Sequence, residues 1–383
     1  MQKTIAEINE KIRSGKAVVA TAEEIISIVE EKGLKKAAQE VDVVTTGTFG
    51  PMCSSGMFIN FGHSNPPIRM NKVWLNDVPA FAGVAAVDAY VGATETSERQ
   101  GMQYGGAHVI QEFIEGKDIT LYAESYGTDC YPRKEIKTTI NKSNVNQAYL
   151  FNPRNCYQNY GAATNSTERI LYTYMGTLLP NFGNVTYSTA GELSPLLNDP
   201  EYRTIGIGTR VFFGGTQGYV AWEGTQHDPG QTRLDNGVPV GGAGTLALIG
   251  DVKKMSSRYI RAAVYEKYGV SLFVGVGIPI PILDEDILRR TTVRNREIQT
   301  VIVDKSGKES LDIRVDYETL RSGAVEIRGK RVPTAPLSSL KMAREIAGEL
   351  KTQIQTGQFL VTEPVERLPM RKERLNKLEI REV

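Results

Sequence analysis

The sequence predicts an α/β fold in which a mixed sheet carries glycine-rich loops and is flanked by helices. Capped amphipathic segments alternate with short β-branched runs such as residues 41–46. Many of the 37 glycines form short runs next to β-type segments. Glycine accepts positive φ and close backbone approach, so these runs are typical of loops at strand ends.

The helices are predicted from their caps and from their apolar periodicity. Thr4 caps a first helix over residues 5–13, and Thr21 with Glu24 forms a capping box for a second helix over 22–32. Further helices are predicted over 107–115, 168–174 and 335–355.

Short segments rich in β-branched and aromatic residues are predicted as strands. They cover residues 41–46, 73–75, 88–93, 119–123, 147–151, 204–213, 219–222, 245–249, 270–279, 300–303 and 313–315. The irregular loop 224–230 is typical of a functional or lid-like segment. We expect one large catalytic domain over residues 1–360, with a weaker boundary near 295–310. A charged tail at 361–383 packs on a neighbour or frays.

Composition excludes several classes of protein. Lys and Arg number 45 against 44 Asp and Glu, so the net charge of +1 argues against a nucleic-acid or membrane-surface protein. No apolar run approaches the roughly 18 residues of a membrane span. Three widely spaced cysteines do not form a secreted disulfide framework. We therefore expect a cytoplasmic homo-oligomer with no nucleic-acid or membrane partner.

Common cofactor motifs are missing from the sequence. It has no complete Gly-x-Gly-x-x-Gly, no phosphate-binding loop and no Cys-x-x-Cys. Of the three histidines, His227 is the best functional candidate because its loop is polar and ends at a proline, and His63 comes second.

The three cysteines carry the strongest functional signal, because each lies in a turn rich in glycine, proline or asparagine. Cys53 lies in Gly-Pro-Met-Cys-Ser-Ser-Gly, Cys130 in Gly-Thr-Asp-Cys-Tyr-Pro-Arg-Lys and Cys156 in Asn-Pro-Arg-Asn-Cys-Tyr. Partial exposure and nearby cations favour a reactive thiolate. Thiolate chemistry is therefore the leading functional hypothesis.

Two mechanisms remain open for these cysteines. In one, a thiolate carries sulfur as a persulfide. In the other, Cys53, Cys130 and Cys156 bind an iron–sulfur cluster and leave one iron open. Both mechanisms predict that Cys53 and Cys130 face one cavity. A further alternative is that Cys156 is a loop cysteine without a role.

The two cysteine turns around Cys53 and Cys130, together with the Gly-Thr-Arg-Val-Phe-Phe-Gly-Gly stretch at 208–215, resemble the homocysteine biosynthesis family. Its members occur in methanogens and other anaerobes and act as L-aspartate semialdehyde sulfurtransferases. The resemblance covers about residues 1–360. The family's two motif cysteines map onto Cys53 and Cys130. Some members carry C-terminal CBS domains, which this sequence lacks, so the regulation that those domains supply is not expected here.

The resemblance implies that L-aspartate 4-semialdehyde gains sulfur, loses water and is reduced to L-homocysteine, a precursor of methionine. It implies a sulfide donor and a ferredoxin-like electron donor, with either a [4Fe-4S] cluster or only a cysteine persulfide. Arg69, Arg133 and Arg210 are candidates for binding the α-carboxylate. His227 is the candidate acid for the departing hydroxyl.

Two other functional classes compete with this interpretation. An acyl- or CoA-transferase would use Glu223, in Trp-Glu-Gly, as its nucleophile and would tolerate loss of all three cysteines. A non-catalytic iron–sulfur carrier would bind a cluster and turn over no substrate.

Overall fold

The structure, a computed structural model, describes residues 2–308 and 311–382. Within these ranges the helices are α1 Ile5–Arg13, α2 Glu24–Lys32, α3 Leu34–Glu40, α4 Gly106–Glu115, α5 Pro195–Asn198, α6 Glu285–Arg290, α7 Tyr317–Arg321 and α8 Leu340–Gln355.

The strands of the N-terminal half are β1 Val19–Thr21, β2 Val43–Thr45, β3 Thr48–Pro51, β4 Gly56–Asn60, β5 Lys72–Leu75, β6 Val78–Ala80, β7 Asp88–Gly92, β8 Thr96–Ser97, β9 Gly101–Gly105, β10 Ile119–Glu124, β11 Glu135–Ile140, β12 Gln147–Asn155, β13 Ala162–Thr164, β14 Leu171–Thr173, β15 Gly176–Leu178 and β16 Val185–Tyr187. Those that follow are β17 Gly206–Ile207, β18 Arg210–Phe213, β19 Thr216–Glu223, β20 Leu246–Asp251, β21 Ile260–Tyr265, β22 Gly269–Gly277, β23 Pro279–Pro281, β24 Gln299–Asp304, β25 Arg314–Asp316, β26 Ala324–Ile327, β27 Lys330–Pro336 and β28 Glu366–Arg367.

A nine-stranded antiparallel sheet forms the centre of the molecule. Its order is β21-β22-β18-β19-β20-β12-β4-β7, and β3 pairs with β22. Helix α4 contributes Val109 and Phe113 to the core of this sheet, where they join Leu150 and Leu248. This arrangement places the ends of β3, β12 and β22 close together, which is where the site lies.

The other sheets combine parallel and antiparallel pairs. Strand β2 pairs parallel with β1 and antiparallel with β23. A six-stranded sheet has the order β25-β24-β13-β16-β27-β26, with both kinds of pairing. Helix α8 packs Ile346 and Leu350 against Phe49 and Phe212 of the central sheet. The α/β class with mixed sheets and flanking helices is confirmed.

The caps predicted for the first two helices are present. Thr4 accepts the backbone N–H of Glu7 at 3.2 Å. Thr21 and Glu24 exchange hydrogen bonds, although α2 begins at Glu24 and not at residue 22. The helix predicted over 168–174 is wrong, because residues 171–173 form a strand that pairs with β15 in a hairpin. Cross-strand pairing of the β-branched and aromatic residues there outweighs their weak helical pattern.

The first part of the charged tail packs on its own chain. Leu368 is buried, β28 pairs with β17, and Arg374 forms an ion pair with Asp228 at 2.8 Å. The candidate boundary near 295–310 falls on β24, which pairs with β13. The division of the chain into domains stays a prediction. Among the described residues, none of the helices has the length and apolar character needed to cross a membrane.

Candidate active site

Cys53 lies at the tip of the tight turn that joins β3 to β4. The turn closes through a hydrogen bond from the Ser55 N–H to the Met52 carbonyl at 3.1 Å. The Ser55 hydroxyl donates to the same carbonyl at 2.8 Å. The thiol of Cys53 is exposed and free. The backbone of the turn is therefore fixed while the thiol remains accessible.

Asn152, a fully buried residue of β12, fastens this turn to the central sheet. Its Nδ2 donates to Ser55 Oγ at 2.8 Å, and its Oδ1 accepts the backbone N–H of Arg154 at 3.0 Å. A buried amide with both ends hydrogen-bonded holds its neighbours in one arrangement. Asn152 thus sets the position of Cys53 relative to β12.

Cys53 opens into a cavity of about 50 Å³ that is lined largely by tyrosines. They come from three separate parts of the chain and are Tyr157, Tyr160, Tyr174, Tyr265 and Tyr268. Met52, Met175 and Leu337 complete the apolar part of the wall. Cys53 therefore borders a space whose wall offers both aromatic rings and phenolic hydroxyls.

Two hydroxyls in the wall of this cavity lack a partner. Tyr265 Oη and Ser271 Oγ are buried and make no hydrogen bond within the described residues. Burial raises the pKa of Tyr265 to about 12, and negative charge on Cys53 acts in the same direction. An unpaired buried hydroxyl costs about 1–3 kcal/mol, so these two atoms are suited to a bound polar ligand.

Two positive side chains stand at the edge of the cavity. Lys305 Nζ donates to Tyr174 Oη at 2.7 Å. The guanidinium of Arg154 donates to Thr225 Oγ1 at 3.0 Å and to Gln226 Oε1 at 2.9 Å. Burial raises the pKa of Tyr157, and the nearby charge of Arg154 opposes that rise. Arg154 makes no ion pair with any described residue, so its charge is available to an anionic group.

Cys130 lies in a different part of the molecule. It is exposed in the turn between β10 and β11. Arg133 of the same turn donates to the Pro66 carbonyl at 2.9 Å, in the loop that follows β4. Strand β4 has five residues and spans about 13 Å, so the turns of Cys53 and Cys130 lie at opposite ends of it. The two turns belong to different sheets and Cys130 is not among the residues that line the Cys53 cavity, so the structure does not support the expectation that both cysteines face one cavity.

Cys156 is a buried core residue, although the composition of its turn predicts a partly exposed thiol. Its side chain is 3% exposed, and burial raises the pKa of its thiol far above the usual range. It lines a separate cavity of about 20 Å³, and the residues Met52 and Tyr157 border both this cavity and that of Cys53. A neutral buried thiol is inert, which favours the alternative that Cys156 is structural.

The three cysteines of one chain do not form the ligand set of an iron–sulfur cluster. In the part of the chain that the structure describes, His, Cys, Asp and Glu side chains form no group of three that could hold a metal ion. No step proposed below passes through a cluster. Iron binding by this protein stays a prediction that iron analysis after anaerobic reconstitution tests.

His227 is not placed to act as an acid, which corrects the sequence-based assignment. It is 3% exposed, and its Nε2 donates to the Pro369 carbonyl at 3.1 Å. Its Nδ1 accepts the N–H of Thr245 at 3.1 Å. Burial lowers its pKa, so the ring is neutral and both nitrogens are occupied. His227 therefore has a structural role, because its hydrogen bond to Pro369 joins the polar loop to the C-terminal tail.

The predicted carboxylate-binding arginines also lie outside the cavity. Arg210 donates to the Leu360 carbonyl at 3.2 Å, and Arg133 donates to Asn65 and Pro66, so both fasten backbone segments. Arg69 is exposed on the loop before β5. None of the three lines the Cys53 cavity.

Glu223 is likewise occupied, since both of its carboxylate oxygens accept hydrogen bonds from Arg371. A carboxylate held in this way is not poised as a nucleophile. The structure therefore gives no support to the acyl-transferase alternative.

A larger cavity of about 380 Å³ lies elsewhere, and three arginines line it. Each is paired with an acidic side chain: Arg289 with Asp286, Arg290 with Glu201 and Arg294 with Glu30. It contains no cysteine. The Cys53 cavity is therefore the better candidate for thiol chemistry.

The sequence analysis missed the tyrosines, Arg154 and Lys305. The tyrosines occur as close pairs at 157 and 160, 172 and 174, and 265 and 268. That spacing was available as a signal, but nothing in it shows that tyrosines from three distant pairs line one cavity. Only the convergence of β12, β14 and β21 brings them around one thiol.

Comparison with known proteins identifies the family of this chain. Residues 17–361 match the family described as "Homocysteine biosynthesis enzyme, sulfur-incorporation". A Methanosarcina acetivorans protein named L-aspartate semialdehyde sulfurtransferase is 55% identical over 371 residues, which cover 96% of this chain and 72% of that protein. A Methanocaldococcus jannaschii protein of the same name is 53% identical over 386 residues, with 96% and 74% covered. No solved structure matches the chain. The chain therefore belongs to the homocysteine biosynthesis family of sulfur-incorporating enzymes.

Proposed function

We propose that this chain is an L-aspartate semialdehyde sulfurtransferase that forms L-homocysteine, with Cys53 carrying the sulfur to the aldehyde. The substrate comes from the names of the similar methanogen proteins. The observation that carries the role of Cys53 is its position: of the three cysteines, it alone is exposed and also lines the tyrosine cavity.

The Cys53 thiolate takes a sulfur atom from a polysulfide, which leaves one sulfur shorter, and the reaction proceeds through the resulting persulfide on Cys53. Its terminal sulfur attacks the aldehyde carbon, a C–S bond forms, and the carbonyl electron pair moves to oxygen and takes a proton. Two electrons and two protons then cleave the S–S bond and release a thiohemiacetal. Loss of water gives a thioaldehyde, and two further electrons and two protons give the thiol. An external low-potential donor, such as a ferredoxin-like protein, supplies all four electrons.

The cavity offers groups for each part of the substrate. Arg154 binds the α-carboxylate, because its guanidinium is free of ion pairs among the described residues and its charge lies near Tyr157 of the cavity wall. Tyr265 Oη and Ser271 Oγ gain partners in the polar groups of the bound amino acid. The methionine and leucine side chains offer an apolar surface to the hydrocarbon part of the substrate.

The partners and setting of the enzyme remain predictions. They are the identity of the sulfide donor, the ferredoxin-like electron donor, a cytoplasmic location and a homo-oligomeric state. Binding of a [4Fe-4S] cluster by Cys53, Cys130 and Cys156 also stays a prediction.

The decisive test compares Cys53→Ala with Cys130→Ala and Cys156→Ala. Each protein is first loaded with sulfur from polysulfide, and homocysteine is then measured anaerobically after incubation with aspartate semialdehyde and a chemical reductant. We expect Cys53→Ala to abolish product and to lose the added sulfur atom seen by intact-protein mass spectrometry. Its thermal unfolding stays unchanged because the side chain is exposed. Near-normal activity of Cys53→Ala would contradict the proposal.

Arg154→Ala tests the substrate orientation. We expect KM to rise at least about tenfold, since hydrogen bonds between charged groups contribute about 1.5–3 kcal/mol. The same measurement on Arg69→Ala tests the sequence-based assignment. A higher KM in Arg69→Ala together with an unchanged KM in Arg154→Ala would show that the carboxylate binds elsewhere.

A further inference from the structure

We propose that Tyr174, held between Lys305 and Tyr160, donates the proton to the carbonyl oxygen when sulfur attacks the aldehyde. This inference rests on the proposed function and names a catalytic residue for it. It fills a gap in the site, because none of the three histidines lines the Cys53 cavity.

The geometry of the three side chains supports a proton donor. Lys305 Nζ lies 2.7 Å from Tyr174 Oη and 4.9 Å from the centre of its ring. The Tyr160 hydroxyl donates to Tyr174 Oη at 3.3 Å. Both tyrosines line the cavity into which Cys53 opens. The phenol of Tyr174 thus has the Lys305 ammonium and the Tyr160 hydroxyl next to it, in the wall of the cavity that Cys53 also lines.

The charges around Tyr174 favour its ionised form. Burial raises the pKa of Tyr174, but the hydrogen bonds from Lys305 and Tyr160 and the charge of Lys305 outweigh burial, and the net pKa is lowered. Negative charge on Cys53 acts against this lowering. Tyr268 also faces the ring, with centroids 6.4 Å apart, and carries no charge of its own at neutral pH.

Other hydroxyls in the cavity are poorer donors. Burial raises the pKa of Tyr265 to about 12, and it raises the pKa of Tyr160 well beyond the usual range. A general acid works best when its pKa approaches the operating pH. Tyr174 is therefore the phenol of this cavity that can best release a proton.

The proposed step is balanced without a further reactant. The terminal persulfide sulfur forms a bond to the aldehyde carbon, and the carbonyl π pair moves to oxygen. That oxygen takes the phenolic proton of Tyr174, and the resulting phenolate stays next to the Lys305 ammonium. Water at the exposed edge of Tyr174, which is 37% exposed, returns the proton. No electrons are exchanged in this step.

The chain contains a matched control two residues before Tyr174. Tyr172 of β14 hydrogen-bonds to Lys267 at 3.3 Å, and the Lys267 ammonium lies 4.7 Å from the centre of its ring. Tyr172 is not among the residues that line the Cys53 cavity. Tyr172→Phe removes a similar tyrosine–lysine contact at a place with no role in the reaction.

The experiment measures homocysteine formation against pH for the wild type and for Tyr174→Phe, Lys305→Met and Tyr172→Phe. We expect Tyr174→Phe to lower kcat by about 100-fold or more, as loss of a general acid does. In the wild type, activity falls as pH rises through the pKa of Tyr174, because a phenolate cannot donate. In Lys305→Met this fall moves to higher pH and the maximal rate decreases. Tyr172→Phe keeps the wild-type profile.

A second measurement is independent of turnover. The ultraviolet absorbance of tyrosinate is titrated, and the difference between wild type and Tyr174→Phe isolates one phenol. We expect that phenol to ionise below the ordinary tyrosine pKa of about 10 and to return towards it in Lys305→Met. Persulfide on Cys53 forms normally in both variants, which separates proton transfer from sulfur loading.

The outcomes distinguish the inference from the proposed function. If Cys53→Ala is inactive while Tyr174→Phe keeps kcat within about threefold of the wild type, the inference is overturned and the function stands. A pH profile unchanged by Lys305→Met also overturns it. If Cys53→Ala is active, the proposed function falls and the inference falls with it.

Discussion

Removing the Asn152 side chain should release the Cys53 turn from the central sheet. Asn152→Ala deletes the 2.8 Å bond from Nδ2 to Ser55 Oγ and the 3.0 Å bond from the Arg154 N–H to Oδ1. The residue is fully buried, so water does not replace these partners. Cys53 lies two residues before Ser55 and loses its fixed position.

The magnitude follows from the two bonds. Each contributes about 1 kcal/mol net, and an Arg154 amide left without an acceptor adds about 1–3 kcal/mol. We expect the free energy of unfolding to fall by about 3 kcal/mol in total. Ser55→Ala removes one of the same bonds, so the two changes together should be non-additive by about 1 kcal/mol.

The assay combines urea unfolding with two readouts at the site. One is the rate at which iodoacetamide alkylates Cys53 in the native protein, with exposed Cys130 as internal reference. The other is kcat/KM for homocysteine formation, which we expect to fall at least tenfold, or about 1.4 kcal/mol. The reasoning is refuted if Asn152→Ala loses stability while the alkylation rate and kcat/KM stay at wild-type values.

Three further predictions concern the other cysteines and the buried histidine. Cys156→Ala should keep activity. It should lower the free energy of unfolding, measured in urea, by about 1 kcal/mol, because it deletes one buried sulfur atom. Loss of activity would contradict a purely structural role for Cys156. After oxidation of dilute protein, peptide mapping should find no Cys53–Cys130 disulfide within one chain, because a disulfide needs Cβ atoms about 4 Å apart. Detection of this disulfide would disprove the separation of the two turns along β4. Burial lowers the pKa of His227 in the folded protein. Below about pH 6.5 the unfolded state therefore binds a proton on His227 that the folded state does not. The contribution of the neutral ring to the free energy of unfolding is fully present above that pH and decreases as pH falls towards the folded pKa. His227→Gln, which can still donate to Pro369, should remove that part of the pH dependence in thermal unfolding; an unchanged slope would exclude His227 as its source.

Local sequence signals predicted local features well. The cap at Thr4 and the Thr21–Glu24 box are present because they depend on residues three positions apart. The helix predicted over 168–174 failed for the opposite reason. Its residues pair with β15, and a weak local pattern cannot show what a segment pairs with.

For the candidate site too, local sequence predicted some features correctly and others wrongly. The turn around Cys53 was identified because its position between a β-branched strand and a serine-rich turn is visible in sequence. Cys156 has a similar turn composition but is buried, and its backbone adopts a positive φ of 50°. Composition describes the backbone of a turn, and burial depends on what packs over it.

By itself, the sequence determined the α/β class and the helix caps, and its resemblance to the homocysteine biosynthesis family agrees with the family match. It also singled out Cys53 as the central thiol, and that role stays a prediction. Only the tertiary structure decided which side chains surround that thiol. Tyr157, Tyr174 and Tyr265 come from β-segments far apart in sequence, and Lys305 follows β24 in another sheet. Their convergence depends on strand pairing and sheet packing, which are set by long-range burial and not by local pattern. The same packing buried Cys156 and His227 and separated Cys130 from Cys53.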